Sequence, residues 1–243
     1  MPDAFDQKSS IDEIKARFDQ DVERFSNLET GQLTTLDAAF SMDLITDCIA
    51  RLHPQAEAVL DVGCGAGNYT LKLLQKVNPL NCTLNDLSEP MLRRARERIS
   101  QVNTGNIFLK QGDIRTVALQ ENSYDAIMAA AVLHHLRDDA DWEFVFKKLF
   151  RLLKPGGSVW ISDIVYQDSP PIQKLVFSER FGRYLSSLKN DAYRDQVFAY
   201  IEKEDSPRPL LYQIRLLEKV GFINAEILHK HLCFASFGAV KPA

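Results

Sequence analysis

The first periodicity along the chain is helical. In SSIDEIKARFDQDVERF the apolar residues Ile11, Ile14, Phe18, Val22 and Phe25 recur three or four places apart. That spacing puts them on one face of an amphipathic helix. Ser10 and Glu13 have the spacing of a capping box, so the helix is expected to begin there. The polar run SNLETGQLTT separates it from a second helical segment that reaches about Leu52. Neither segment alternates as a strand would.

From Ala56 the period changes. The short apolar runs AVLDV, CTLND, NIFLKQ, YDAIMAA and GSVWISDI predict five strands. Between them NYTLKLLQKV, SEPMLRRARERISQV and DDADWEFVFKKLFRLL predict helices, the second marked by Ser88 as N-cap and Pro90 in its first turn. Such alternation predicts an α/β doubly wound, mostly parallel sheet with helices on both faces. Residues 166 to 207 offer helical spacing only, as in Leu175, Phe181, Leu185 and Leu188. PLLYQIRLLEKVGF then predicts a helix, followed by strands at INAEILHKH and LCFASFGAVKPA. These two are too close for a helical crossover and must pair as an antiparallel hairpin. The expected organisation is a leader and helical arm over 1–55, a core over 56–165, a helical lid over 166–207, and a helix with hairpin over 208–243 that completes the core. The opening MPDAFDQKSSIDE reads as a short disordered leader.

Composition narrows the function classes. With 243 residues, 45% hydrophobic and 26% charged, the chain can form one large globular domain with an elaborated lid. A net charge of −4 gives no global pull toward nucleic acid or anionic membrane. No apolar run approaches the roughly 18 residues of a membrane span, and the start lacks the pattern of a signal peptide. Cys48, Cys64, Cys82 and Cys233 lie far apart with no metal-ligand spacing. Free thiols, no metal and a cytoplasmic location are therefore expected.

The candidate chemistry starts at VLDVGCGAGNYT, a strand running into a glycine turn. Gly63, Gly65 and Gly67 are spaced G-x-G-x-G, whereas the dinucleotide fingerprint G-x-G-x-x-G needs glycine where Asn68 stands. The turn alone leaves the nucleotide open. Asp86, in LNDLSEPML, falls at the carboxyl edge of the second strand, where a carboxylate can accept both hydroxyls of a ribose. Asp113 falls in the turn after the third strand, placed to accept from an adenine amine while Ile114 packs on the ring. The bland alternatives are a helix-start acid and a self-capping turn. His134 and His135 close the fourth strand and are candidate general bases.

Taken in order, DVGCGAG, NDLSEPML, QGDI, YDAIMAAAVLHHL, LLKPGG and the terminal hairpin resemble the class I S-adenosylmethionine-dependent methyltransferases. The resemblance covers residues 56 to 165 and 208 to 243. It implies a seven-stranded sheet whose last strand is antiparallel, with S-adenosylmethionine as cofactor and S-adenosylhomocysteine as product. It also implies that Gly63, Gly65 and Gly67 wrap the methionine part while Asp61 faces its amino group. Asp86 with Leu87 would take the ribose, Asp113 with Ile114 the adenine, and Ala130, Ala131 and Leu133 would pass near the sulfonium. The acceptor is expected to be a small molecule. Tyr69, Arg180, Tyr184, Arg194 and Tyr200 are candidate walls of its pocket, because aromatics with arginines suit a flat or anionic ligand.

Three other readings stay open at this level. The arm, the lid, RLLEKVGF and CFASFGAVKPA are similar to the carboxymethyltransferases that use carboxy-S-adenosylmethionine on a tRNA uridine, in which Arg194 would meet the extra carboxylate. The chain shows no evident basic surface for tRNA. An NAD-dependent oxidoreductase is the second, although none of the seven tyrosines has lysine four places on. A non-catalytic cofactor-binding scaffold is the third. The Walker sequence, the N/D-P-P-Y motif of amine-modifying enzymes and a Pro-Cys nucleophile are all absent. A homodimer formed through the arm is a further expectation.

Overall fold

The computed structural model describes residues 8–27, 31–103 and 105–243. Its centre is a seven-stranded sheet built from β1 (Ala58–Val62), β2 (Asn81–Asp86), β3 (Ile107–Gln111), β4 (Tyr124–Ala130), β5 (Leu153–Ile164), β6 (Ile223–His231) and β7 (Phe234–Val240), in the order β3-β2-β1-β4-β5-β7-β6. The first five strands are parallel, and β7 runs antiparallel between β5 and β6. The order reverses between β1 and β4, so the carboxyl ends of these strands open a crevice suited to a ligand.

Alternate residues of each strand feed opposite cores, as a period of two requires. Leu60, Val62, Ile127, Ala129, Val159 and Ile161 pack toward α6 (Asp139–Leu152) and α10 (Leu210–Val220). Val59, Cys82, Leu84, Ala126 and Met128 pack toward α3 (Ala38–Leu52), α4 (Asn68–Leu74) and α5 (Glu89–Ile99). Trp142 and Phe146, fully buried on α6, anchor the first core. Truncating either to alanine would cost about 3–5 kcal/mol.

Two elements differ from the sequence expectation. The turn Pro155-Gly156-Gly157 lies inside β5, which begins at Leu153. Leu153 pairs with Tyr124 and Ser158 with Ala126, so the intervening residues bulge from the ladder, with Gly156 at φ 77°. The N-terminal helix is broken at Asp21 into α1 (Ile11–Gln20) and α2 (Val22–Ser26). Its capping box forms as predicted: the Ser10 hydroxyl accepts from Glu13 N and the Glu13 carboxylate accepts from Ser10 N. Of the expected disordered leader, residues 1–7 lie outside the described residues. The remainder is ordered, with Ser9 N donating to Lys203 O at 3.0 Å and the helix starting at Ile11.

The lid is helical throughout: α7 (Pro170–Gln173), a π-helical stretch over Lys174–Phe181, α8 (Gly182–Leu188) and α9 (Asp191–Glu204). Phe181, Leu185 and Ile201 fuse it to the end of the sheet through Ile164 and Cys233. Among the described residues no helix is long and apolar enough to cross a membrane.

Candidate functional site

The carboxyl ends of β1, β2, β4 and β5 face a cavity of about 630 Å³, roofed by α1, α2 and the lid. On its floor stand Asp61, at 1% exposure, and Asp86. Asp61 accepts from the Thr70 hydroxyl at 2.7 Å. Burial pushes its carboxyl up to about 7, against the hydrogen bonds of Thr70. Asp86 accepts from Gly65 N at 2.8 Å and Ser88 N at 2.9 Å, tying the glycine turn to the start of α5. Burial raises its pKa as well, with those backbone donors opposing. A buried and a half-buried carboxylate near one another favour a ligand that brings positive charge and hydroxyl donors.

The glycine turn leaves room for that ligand. Gly65 has φ 50°, and a Cβ there would meet nothing within 4 Å, because the position opens onto the cavity. Gly63 also lines it, whereas Gly67 turns away. A Cβ on Gly67 would lie 3.2 Å from that of Ala95 and 3.0 Å from Ile99, so its smallness serves the packing of α4 on α5. Asn68, at the position that spoils the dinucleotide fingerprint, joins three parts. It receives Arg98 Nη1 at 2.8 Å and donates to Phe25 O of the arm at 2.9 Å.

Of the remaining predicted residues, Leu87, Ile114, Ala130, Ala131, Tyr69 and Tyr200 line the cavity. Asp113 lines it too, gripped by Arg115 at 2.6 and 3.0 Å. Burial opposes ionisation of Asp113, but the hydrogen bonds and charge of Arg115 outweigh it and hold the carboxyl below its usual value. Ala131 has φ 50°, strained for a residue with a Cβ, at the edge where β4 meets the cavity. Leu133 is fully buried in the core and is not on the wall.

Three lid residues stand off the wall. Arg180 is exposed, Arg194 pairs with Asp191 at 3.1 Å and Asp195 at 2.8 Å, and Tyr184 donates to Leu33 O at 2.8 Å. The lid predicted as a helical segment has turned these side chains to its outer and rear faces. Sequence spacing could not tell which face would look inward.

The two histidines are held differently. His134 Nδ1 lies 2.5 Å from Asp163 Oδ1, and Asp163 Oδ2 accepts the backbone amides of Leu133 and His134. Burial works against a charge on His134, but Asp163 and Asp205 overcome it and push the imidazole up to about 9. His135 is pushed the other way, well below its ordinary value, by burial and by the neighbouring His134. The two rings are thus driven apart, His134 toward the imidazolium and His135 toward the neutral imidazole.

Several wall residues were not predicted. Asp163 is the penultimate residue of β5, as Asp61 is of β1, and Asp86 ends β2, so the same positional signal points to it. Asp205, Arg17, Phe18 and Phe25 come from the lid and the arm. Arg17 forks onto Glu204 at 3.0 and 2.7 Å and donates to the Tyr200 hydroxyl at 2.7 Å. Ser206 N donates to His134 O at 2.6 Å, fixing the end of the lid beside the histidines. Pairings of this kind are tertiary and leave no local trace in sequence.

The parallel sheet, the glycine turn with carboxylates at successive strand ends, and the single antiparallel strand define an α/β nucleotide-cofactor fold of the methyl-donor type. Residues 59–157 match the family model of the methyltransferase domain. A demethylmenaquinone methyltransferase of Lactococcus lactis is 30% identical over 173 residues, covering 70% of this chain and 67% of that protein. A malonyl-[acyl-carrier protein] O-methyltransferase of Marinomonas is 28% identical over 191 residues, covering 77% and 65%. In fold, the phosphoethanolamine N-methyltransferase 2 of Haemonchus contortus superposes with a TM-score of 0.66 at 18% identity, covering 98% of this chain and 62% of that one. The chain thus spans about two thirds of the length of these relatives. It belongs to the class I S-adenosylmethionine-dependent methyltransferases, and is an enzyme of that family.

Proposed function

We propose that this chain transfers the methyl group of S-adenosylmethionine to a small organic acceptor held between the glycine turn and the arm–lid roof. One observation carries the reading: buried Asp61 and half-buried Asp86 flank Gly63 and Gly65 on the floor of a cavity that continues to His134, His135 and Tyr200. The donor brings an ammonium group and a sulfonium, which suit a floor with two carboxylates. Asp61 meets the ammonium, Gly63 and Gly65 let the backbone approach the methionine part, and Asp86 with Leu87 takes the ribose. Asp113 and Ile114 flank the adenine, and Ala130 and Ala131 pass near the sulfonium. Gly67 and Leu133 support this frame from behind.

The acceptor then lies against Tyr69, Tyr200, His134 and His135. Methyl transfer from a sulfonium needs mainly an in-line approach, so positioning supplies much of the rate. Relatives named for demethylmenaquinone and, as an O-methyltransferase, for a malonyl carrier favour an organic acceptor of that kind, with oxygen among the nucleophiles. S-adenosylmethionine is preferred to its carboxylated form because Arg194, the residue for the extra carboxylate, is committed to Asp191 and Asp195. Free cysteines suit a reducing compartment, so the cytoplasm is the proposed location.

The test is calorimetric. Asp86→Ala should fold and lose at least about tenfold in S-adenosylmethionine affinity, the worth of charge-assisted hydrogen bonds to two hydroxyls. Wild-type affinity in that variant would remove Asp86 from the ribose site.

A further inference from the structure

His134, His135 and Asp205 bring three ligand atoms within 4.8 Å of one another: one ring nitrogen from each histidine and one carboxylate oxygen. Asp205 Oδ1 lies 3.6 Å from His134 Nε2 and 3.6 Å from His135 Nδ1. These distances are too long for hydrogen bonds. Ligands sharing one ion at bond lengths of about 2.0–2.2 Å stand roughly 3–3.5 Å apart, so both Asp205 pairs are already near that spacing and the histidine nitrogens, within 4.8 Å, would have to close on it. Asp205 is 96% buried by its 4% exposure, and its Oδ1 has no hydrogen-bond partner among the described residues. Both ring nitrogens of His135 are likewise buried, with only the backbone of Glu204 near enough to interact and no well-formed hydrogen bond there. Leaving such atoms unmet is costly, which marks them as facing something that belongs between them.

The surroundings agree. His134 Nδ1 is bonded to Asp163, the carboxylate–histidine arrangement that orients the other nitrogen toward a metal. Arg17, whose charge also reaches both histidines, is paired with Glu204 at 2.7 Å. All three residues border the cavity, so an ion there would keep open positions on the cavity side.

We propose that His134, His135 and Asp205 form a divalent transition-metal site whose open side takes an oxygen or nitrogen donor of the acceptor. Two histidines with one carboxylate and free positions are the ligand set of iron(II), zinc and their neighbours. The site rests on the cavity assignment above and names the means by which the acceptor is oriented beside the methyl donor. Sequence gave no sign of it, because Asp205 comes from the end of α9, far along the chain from the histidine pair.

A second cluster lies near the surface where Asp37, just before α3, meets His229 and His231 of β6, and Asp37 already accepts from both rings at 2.8 Å. It is removed for the test by His229→Ala and His231→Ala. Metal-stripped protein in that background is titrated with Co²⁺ and followed by its visible ligand-field absorption. One Co²⁺ per chain is expected, with affinity at least tenfold weaker after adding His135→Ala or Asp205→Asn. S-adenosylmethionine affinity, measured by calorimetry, should stay within about twofold in both. Absence of Co²⁺ binding, or unchanged affinity in either variant, would overturn the site and leave the methyl-donor assignment standing. Failure to bind S-adenosylmethionine while Co²⁺ binds would overturn that assignment instead.

Discussion

Asp61 ties the stability of the fold to the recognition proposed for it. It is buried beneath the glycine turn with a single hydroxyl partner, Thr70, and its carboxyl lies near 7. The folded protein therefore keeps a proton that the unfolded chain releases near pH 4. The stability tied to that proton is complete below about pH 4 and is lost as the pH climbs through 7, by on the order of 4 kcal/mol. Asp61→Asn keeps an acceptor for Thr70 without the charge. The ligand-free variant should melt close to wild type at pH 5 and above it at pH 8. Thermal scans that show the same difference at both values would contradict a carboxyl held protonated by burial. With S-adenosylmethionine bound, the ranking at pH 8 should invert, because the ammonium group stabilises the aspartate and has less to pair with in the asparagine.

At the scale of elements, the arm and the lid act as one roof. Lys8 donates to Asp205 O, and Arg137 reaches Ser9 O on the arm and Glu204 O at the end of α9. The Arg17 fork on Glu204 lies at the centre of these contacts. Hydrogen bonds to charged groups contribute about 1.5–3 kcal/mol each when removed. Arg17→Ala should thus speed amide exchange along α1 by about tenfold or more and leave α6, deep against the sheet, unchanged. The Michaelis constant for the acceptor should rise with it. Exchange in α1 that matches wild type would mean the roof is held by its apolar contacts, Phe18 and Phe25 among them.

At the scale of the molecule, the sheet was legible because each strand is a short apolar run between turn residues, and β4 and β6 have the boundaries that their patterns predict. The hairpin followed from chain length alone. The start of β5 was not legible, since Pro155-Gly156-Gly157 reads as a turn and only the partner strand turns it into a bulge. The cofactor floor could be read from carboxylates at strand ends, a local signal. The acceptor side could not, because Asp205, Arg17 and Phe18 arrive there by packing of segments distant in sequence. Tyr200 lies on the wall while Arg180, Tyr184 and Arg194 stand off it, because helical spacing gives a face, not its direction.

The central claim is that the cavity holds S-adenosylmethionine, and native mass spectrometry tests it most directly. The purified chain is mixed with equal concentrations of S-adenosylmethionine, its carboxylated form and NAD, whose masses are distinct. One S-adenosylmethionine per chain is predicted, with the adduct absent from Asp86→Ala. An adduct of NAD or of the carboxylated donor in its place would contradict the account.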